Sequence, residues 1–228
     1  MLSALDALER LKDGNRRFAS GRSRLGVSTS ETWRDALVRG QRPFAVILGC
    51  SDSRVPVEIV FDEGLGSLFV IRVAGNVVAS SQIDSIEFAA AQFGTRLVVV
   101  LGHTLCGAVS ATLDELQRPS ESQSRNLRSI VDRIRPAVEG LLGTNLRDDR
   151  EELARQAVRA NVRVAAGQLR HGSPVLEQLI KDDGLLVVGG EYSLETGLVD
   201  FFDVPGSAPP VDSIERARSN RLRRAASV

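Results

Sequence analysis

Two stretches concentrate the side chains able to bind a metal or move a proton. CSDSR at 50–54 sets Cys50, Asp52 and Arg54 together, and GHTLCGA at 102–108 sets His103 three residues ahead of Cys106. Two thiolates and an imidazole form a borderline-soft donor set suited to Zn²⁺. Three protein ligands leave one coordination position for water, the mark of a catalytic zinc. Asp52 then has two roles open to it, as a further metal ligand or as acceptor of a hydrogen bond from zinc-bound water. Arg54 decides between them, because a forked, charge-assisted pair draws the carboxylate off the metal and keeps it ionised. The competing reading makes Cys50 and Cys106 small buried hydrophobes, His103 a helix-terminal group and Asp52–Arg54 a surface ion pair. Both halves falling at matching strand ends weighs against it. A cysteine phosphatase also fits poorly: C-x₃-R is shorter than the usual C-x₅-R cradle, and the loop lacks glycines.

Ligands so far apart in sequence must be gathered by a scaffold, and the apolar runs supply one. FAVILG at 44–49, LFVIRV at 68–73, LVVVLG at 97–102 and LLVVGG at 185–190 are short, unbroken and rich in β-branched residues. Such runs suit strands buried on both faces. Between the second and third lies SSQIDSIEFAAAQFG, whose serines can cap a helix and whose Gly94 can stop it. Strand, helix, strand at this spacing implies parallel pairing. In a parallel sheet the loops at the carboxyl ends converge, so Cys50 after the first run and His103 after the third are placed to meet. A helix starting near Thr104 would put His103 and Cys106 on one side.

Around this core, Leu2, Leu5, Leu8, Leu11 and Phe18 predict an amphipathic helix ending near Gly21, and residues 30–39 a second, shorter one. From 123 to 181 the pattern is helical, with Leu127, Ile130, Val131, Ile134, Val138, Leu141 and Leu142 on one stripe and Pro136 kinking or restarting it. EYSLETGLVDFF at 191–202 reads as a turn near Glu195–Gly197 and a short antiparallel edge strand. The expected fold is therefore α/β: a mostly parallel sheet of four buried strands plus an antiparallel edge strand, flanked by helices. Residues 1–204 form one catalytic domain with an N-terminal helical arm. Residues 205–228, rich in Pro, Ser, Ala and Arg, read as a disordered tail.

Composition narrows the partners. Lys and Arg number 29, as do Asp and Glu, so no global field recruits nucleic acid or an anionic membrane. Two cysteines are too few for a secreted disulfide framework, and the N-terminus has neither a signal-peptide core nor a membrane span. The expected location is the cytoplasm.

At CSDSR and HTLC the sequence resembles the β-class carbonic anhydrases, whose signature is C-x-D-x-R at one strand end and H-x-x-C at another. The resemblance spans about residues 3–204. It implies reversible hydration of carbon dioxide to bicarbonate and a proton by zinc-bound hydroxide, with one Zn²⁺ per subunit held by Cys50, His103 and Cys106. It also implies a homodimer or dimer-based oligomer with active sites at the subunit interface. Matched position by position, the family's substrate glutamine falls on Gln41, its apolar pocket on Phe69, Ala74 and Phe88, and the glycine after the last ligand on Gly107. Phe88 stands where many plant-type members carry tyrosine. Ile47 stands where bicarbonate-inhibited members often carry an aromatic residue. His171 is the one other histidine and is read as a surface residue in preference to a proton shuttle. Two alternatives keep the metal: hydrolysis of carbonyl sulfide or carbon disulfide, and a non-catalytic zinc-stabilised dimer. Thiolates offset the metal's charge, so activity is expected to rise through mildly alkaline pH.

Overall fold

A computed structural model of the chain describes residues 2–24, 37–118 and 125–206. The segment expected to be helical at 30–39 lies mostly outside the described residues, and so does all but the first two positions of the 205–228 tail.

Five strands form one sheet in the order β2-β1-β3-β4-β5. They are β1 (Ala45–Gly49), β2 (Leu68–Arg72), β3 (Leu97–His103), β4 (Leu186–Tyr192) and β5 (Val199–Asp203). The first four pair in parallel and β5 runs antiparallel to β4, as the sequence pattern predicts. The unbroken apolar runs are explained by two cores. Ala45, Ile47, Val99 and Leu101 pack on one face against Leu8, Leu11 and Phe61. Val46, Leu48, Val98 and Val100 pack on the other against Ile86, Val162 and Leu169. Each Val, Leu, Ile or Phe among them contributes about 1.5–3 kcal/mol by leaving water. One strand departs from the expectation of complete burial. β2 ends the sheet opposite β5, so Phe69, Val70 and Ile71 are only half-buried and Arg72 is exposed.

The helices that matter to the site are α1 (Ala4–Ala19), α2 (Val57–Val60), α3 (Ser80–Phe93), α4 (Gly107–Gln117), α5 (Arg125–Val138), α6 (Arg150–His171) and α7 (Pro174–Asp182). α1 is capped by Ser3, whose hydroxyl accepts from the Asp6 N–H at 3.1 Å. It buries Ala4, Ala7, Leu8 and Leu11, while Leu2 and Leu5 face outward. Leu2 precedes the helix, and repeated steps of three drift around 3.6 residues per turn, so the stripe read from the leucines alone includes two exposed ones.

α3 stops at Gly94 in the left-handed region, as expected, with φ 66°. Its serines do not cap it: Ala79 is the N-cap, without a side-chain hydrogen bond, and Ser80 and Ser81 lie inside the first turn. The helical region 123–181 divides into α5, two short 3₁₀ turns at Glu139–Gly143 and Asn145–Asp148, α6 and α7. α5 continues two residues past Pro136 before giving way to the first 3₁₀ turn. α6 lays Val162, Ala165, Ala166 and Leu169 onto the sheet and buries Leu153, Ala157 and Val158 against α4 and α5. Among the described residues no helix is long and apolar enough to cross a membrane.

Candidate metal centre

β1 and β3 are neighbours, and their carboxyl ends deliver the ligands. Cys50 follows Gly49 directly, and His103 is the last residue of β3. The turn after His103 is not the helix start expected near Thr104. α4 begins at Gly107 with Cys106 as its N-cap, and Leu105 between them sits in the left-handed region at φ 57°. That conformation costs a leucine roughly 1–2 kcal/mol, and it reverses the chain sharply enough to return Cys106 beneath His103. The donor atoms of Cys50, His103 and Cys106 all lie within 4.8 Å of one another, and all three residues are buried.

The ring of His103 is oriented by its own turn. Its Nδ1 lies 2.9 Å from the Thr104 carbonyl, which can only accept, so Nδ1 carries the proton and the Nε2 lone pair faces the sulfurs. Nε2 is buried with no hydrogen-bond partner among the described residues. An imidazole nitrogen left unsatisfied next to two thiols is what a soft-borderline dication would satisfy, so the residues fit zinc.

Asp52 and Arg54 form the expected fork. Arg54 donates from Nε to Oδ1 at 2.9 Å and from Nη2 to Oδ2 at 2.8 Å, and its backbone N–H adds a bond to Oδ1 at 3.0 Å. Oδ2 is 3.8 Å from His103 Nε2, so the carboxylate hangs over the cluster while committed to the guanidinium. The hydrogen bonds from Arg54 hold the Asp52 carboxyl well below the usual carboxylate range. The adjacent Cys106 thiol, outweighing burial, brings the Cys50 thiol down to about 4, helped by His103 and the Gly75 N–H. Its partner moves the other way: interaction with Cys50, then burial, pushes Cys106 up. Burial disfavours a charged His103, but the nearby Cys50 sulfur and the Thr104 carbonyl outweigh it and raise its pKa.

Three supporting residues escape a reading of the sequence. Gly75, at φ 68° in the 3₁₀ turn Ala74–Asn76, donates its N–H to the Cys50 sulfur at 3.4 Å. Asn161 of α6 fixes this turn by donating to the Gly75 carbonyl at 2.7 Å. Arg72, at the end of β2, donates to the carbonyls of Cys50 at 3.0 Å and Asp52 at 2.6 Å. A-G-N after a strand is a turn signal, and an arginine closing an apolar strand marks its carboxyl end; neither names the partner.

The five residues aligned with a substrate pocket do not come together in one chain. Ala74 adjoins Gly75, and Gly107 follows Cys106 at the exposed start of α4, so both border the metal cluster. Gln41 lies in the loop before β1, beside Gly66, at the amino-terminal edge of the sheet. Phe69 pairs with Val46, three residues before Gly49 and so roughly 10 Å from the ligand end. Its ring packs 6.2 Å from that of Phe88, which is 54% exposed. A loop that enters a strand and a loop that leaves it are separated by the strand's length, so within one chain Gln41, Phe69 and Phe88 lie apart from Cys50, His103 and Cys106. His171 ends α6, about 15 Å along the helix from Asn161, and is exposed. It borders a groove with Arg133 and Ser80.

The chain is similar to known carbonic anhydrases. The family model described as carbonic anhydrase matches residues 45–199, from the start of β1 to the start of β5. A carbonic anhydrase of Mycolicibacterium smegmatis is 41% identical over 196 residues, covering 86% of this chain and 91% of the relative. Carbonic anhydrase 2 of Mycobacterium tuberculosis is 39% identical over 193 residues, covering 84% and 89%. Among solved structures, the β-carbonic anhydrase CafA of Aspergillus fumigatus superposes with a TM-score of 0.67 at 26% identity, covering 95% of each chain.

Proposed function

Because this chain belongs to the β-class carbonic anhydrase family, we propose that it interconverts carbon dioxide and bicarbonate with one zinc ion per subunit held by Cys50, His103 and Cys106. The observation that carries the zinc reading is the convergence within 4.8 Å of donor atoms from two distant stretches of chain, one of them a buried imidazole nitrogen with no partner among the described residues. Bound at these donors, zinc lowers the pKa of water and so supplies a nucleophile near neutral pH.

The chain's own residues do the rest. Asp52, ionised and locked by Arg54, serves as an acceptor above the cluster: it takes the hydrogen bond of the attacking water and aims that oxygen's lone pair at the substrate carbon. While the fork holds, both carboxylate oxygens are engaged, which favours this role over direct ligation. Arg72 and Gly75 keep Cys50 and the Asp52 backbone from shifting.

Carbon dioxide is linear, uncharged and weakly hydrated, so it needs an apolar surface more than a polar anchor. Ala74 supplies part of that surface beside the cluster. Gln41, Phe69 and Phe88 reach it from a second copy of the chain, with the Gln41 amide donating to an oxygen of the nascent bicarbonate. Support for a homodimer comes from the half-buried apolar edge of β2 and the exposed Phe88 next to it. The reading takes residues 1–204 as the catalytic unit and the cytoplasm as its site of action.

Metal analysis joined to a carbon dioxide hydration assay tests this directly. The expected result is one zinc per chain and metal-dependent hydration that rises from pH 6 to 9. A zinc-loaded chain that fails to hydrate carbon dioxide anywhere in that range overturns it.

A further inference from the structure

The chain holds two cysteines among its 228 residues, and the fold brings them to one point. Their sulfurs lie within 4.8 Å of each other, and both are free thiols. Neither sits inside a strand, where a paired backbone would resist movement. Cys50 opens the loop after β1, and Cys106 follows the strained left-handed turn at Leu105. A disulfide requires the sulfurs to close to about 2.05 Å, a movement within reach of side-chain rotation and a small shift of the turn that carries Cys106. The Gly75 N–H donates to the Cys50 sulfur at 3.4 Å and so favours negative charge on this sulfur of the pair, which marks Cys50 as the one that attacks first.

We propose that Cys50 and Cys106 are a redox modification site: a small peroxide converts the metal-free chain to an intramolecular Cys50–Cys106 disulfide that cannot hold zinc. Metal loading and two-electron oxidation therefore compete for the same two sulfurs. The inference rests on the metal-centre reading above and adds its regulation. The Cys50 thiolate attacks one peroxide oxygen and the O–O bond breaks. A sulfenic acid forms on Cys50, and the departing hydroxide takes up a proton as water. The Cys106 sulfur then attacks the Cys50 sulfur, the S–O bond breaks, and the Cys106 proton leaves with the oxygen as a second water. In sum, two thiols and one peroxide become one disulfide and two waters, and two electrons pass from sulfur to oxygen. A disulfide has no thiolate charge left and its sulfurs are weak donors to a metal, while bound zinc engages the thiolates and shields them. With no third cysteine in the chain, exchange to a different intramolecular pairing cannot occur.

The test uses the full-length chain purified under reductant, stripped with a chelator, and treated with hydrogen peroxide with or without prior zinc reloading. Free thiols under denaturing conditions, intact mass, non-reducing electrophoresis and zinc uptake are read together. In the metal-free arm the expected results are loss of both thiols, a mass lower by two hydrogens, migration as a single chain, and zinc uptake reduced at least about tenfold. A dithiol reductant should restore uptake. The zinc-loaded arm should keep its thiols at least about tenfold longer. In Cys106→Ser a sulfenic-acid reagent should tag Cys50, because the resolving sulfur is gone.

Two free thiols persisting in the oxidised metal-free chain overturn the proposal, as do bridges only between chains. Equal oxidation rates with and without zinc overturn the competition. A reduced chain that binds zinc and hydrates carbon dioxide, yet forms no internal disulfide, defeats this inference and leaves the function standing. A reduced chain that does neither defeats the function whatever its thiols do.

Discussion

Asp52 shows how one contact assigns chemistry to a side chain. With both oxygens taken by Arg54, it is an acceptor poised 3.8 Å from the imidazole nitrogen that would ligate metal. Asp52→Asn keeps the shape and removes the charge, so zinc content should stay at the wild-type level while kcat falls about 10²–10⁴-fold. Unchanged turnover in this variant would remove the carboxylate from the reaction. The same pair sets an acid limit. Arg54 depresses the folded-state pKa of Asp52, so its contribution to stability is fully present above the unfolded carboxylate value near 4 and disappears as pH falls further. Melting of the metal-free chain under reductant should show wild type ahead of Asp52→Asn by a constant margin from pH 5 to 7 and a shrinking one below pH 4. A margin that stays constant down to pH 2 contradicts the assignment.

Among the elements, one turn and one strand end fix the ligand loop. The turn Ala74–Asn76 brings a backbone N–H to the Cys50 sulfur only because Gly75 adopts φ 68°, and a Cβ there would stand 2.8 Å from Ile134 Cδ1 and 3.2 Å from the Ala108 Cβ. Gly75→Ala should cost about 1–3 kcal/mol in urea unfolding and weaken zinc binding in competition with a chelator. Wild-type affinity in that variant would show that the turn does not support Cys50. From the other side, the Arg72 guanidinium spans two carbonyls of the loop, a geometry a single ammonium cannot copy. Arg72→Lys should retain zinc and lower kcat, with Arg72→Leu lower still. Steady-state kinetics on metal-matched samples separates this bracing role from a loss of metal.

At the level of the whole molecule, one chain assembles the metal cluster and leaves the aligned substrate residues elsewhere. Gln41 and Phe69 belong to the amino-terminal half of the sheet, and Phe88 is exposed on α3. If a second copy completes the pocket, Phe88→Asp should shift sedimentation toward the monomer and lower activity most at low protein concentration, with zinc content unchanged. A Phe88→Asp chain that remains dimeric and fully active places the pocket elsewhere.

The sheet was readable in advance because burial on both faces demands unbroken apolar runs, which FAVILG and LVVVLG display without reference to any partner. The ligand set was readable for a similar reason: thiolate, imidazole and carboxylate chemistry belongs to the residue types, and parallel strands send their following loops to one edge. Sequence could not show that Ala79 caps α3 in place of a serine, that Leu105 turns left-handed, or that Arg72, Gly75 and Asn161 brace the cysteine. Those features are settled by which backbone groups end up without partners once the strands and helices pack. Spacing alone likewise cannot tell which end of a strand a residue will face. Gln41 and Cys50 are nine residues apart in the chain, and the length of β1 between them puts them at opposite edges of the sheet.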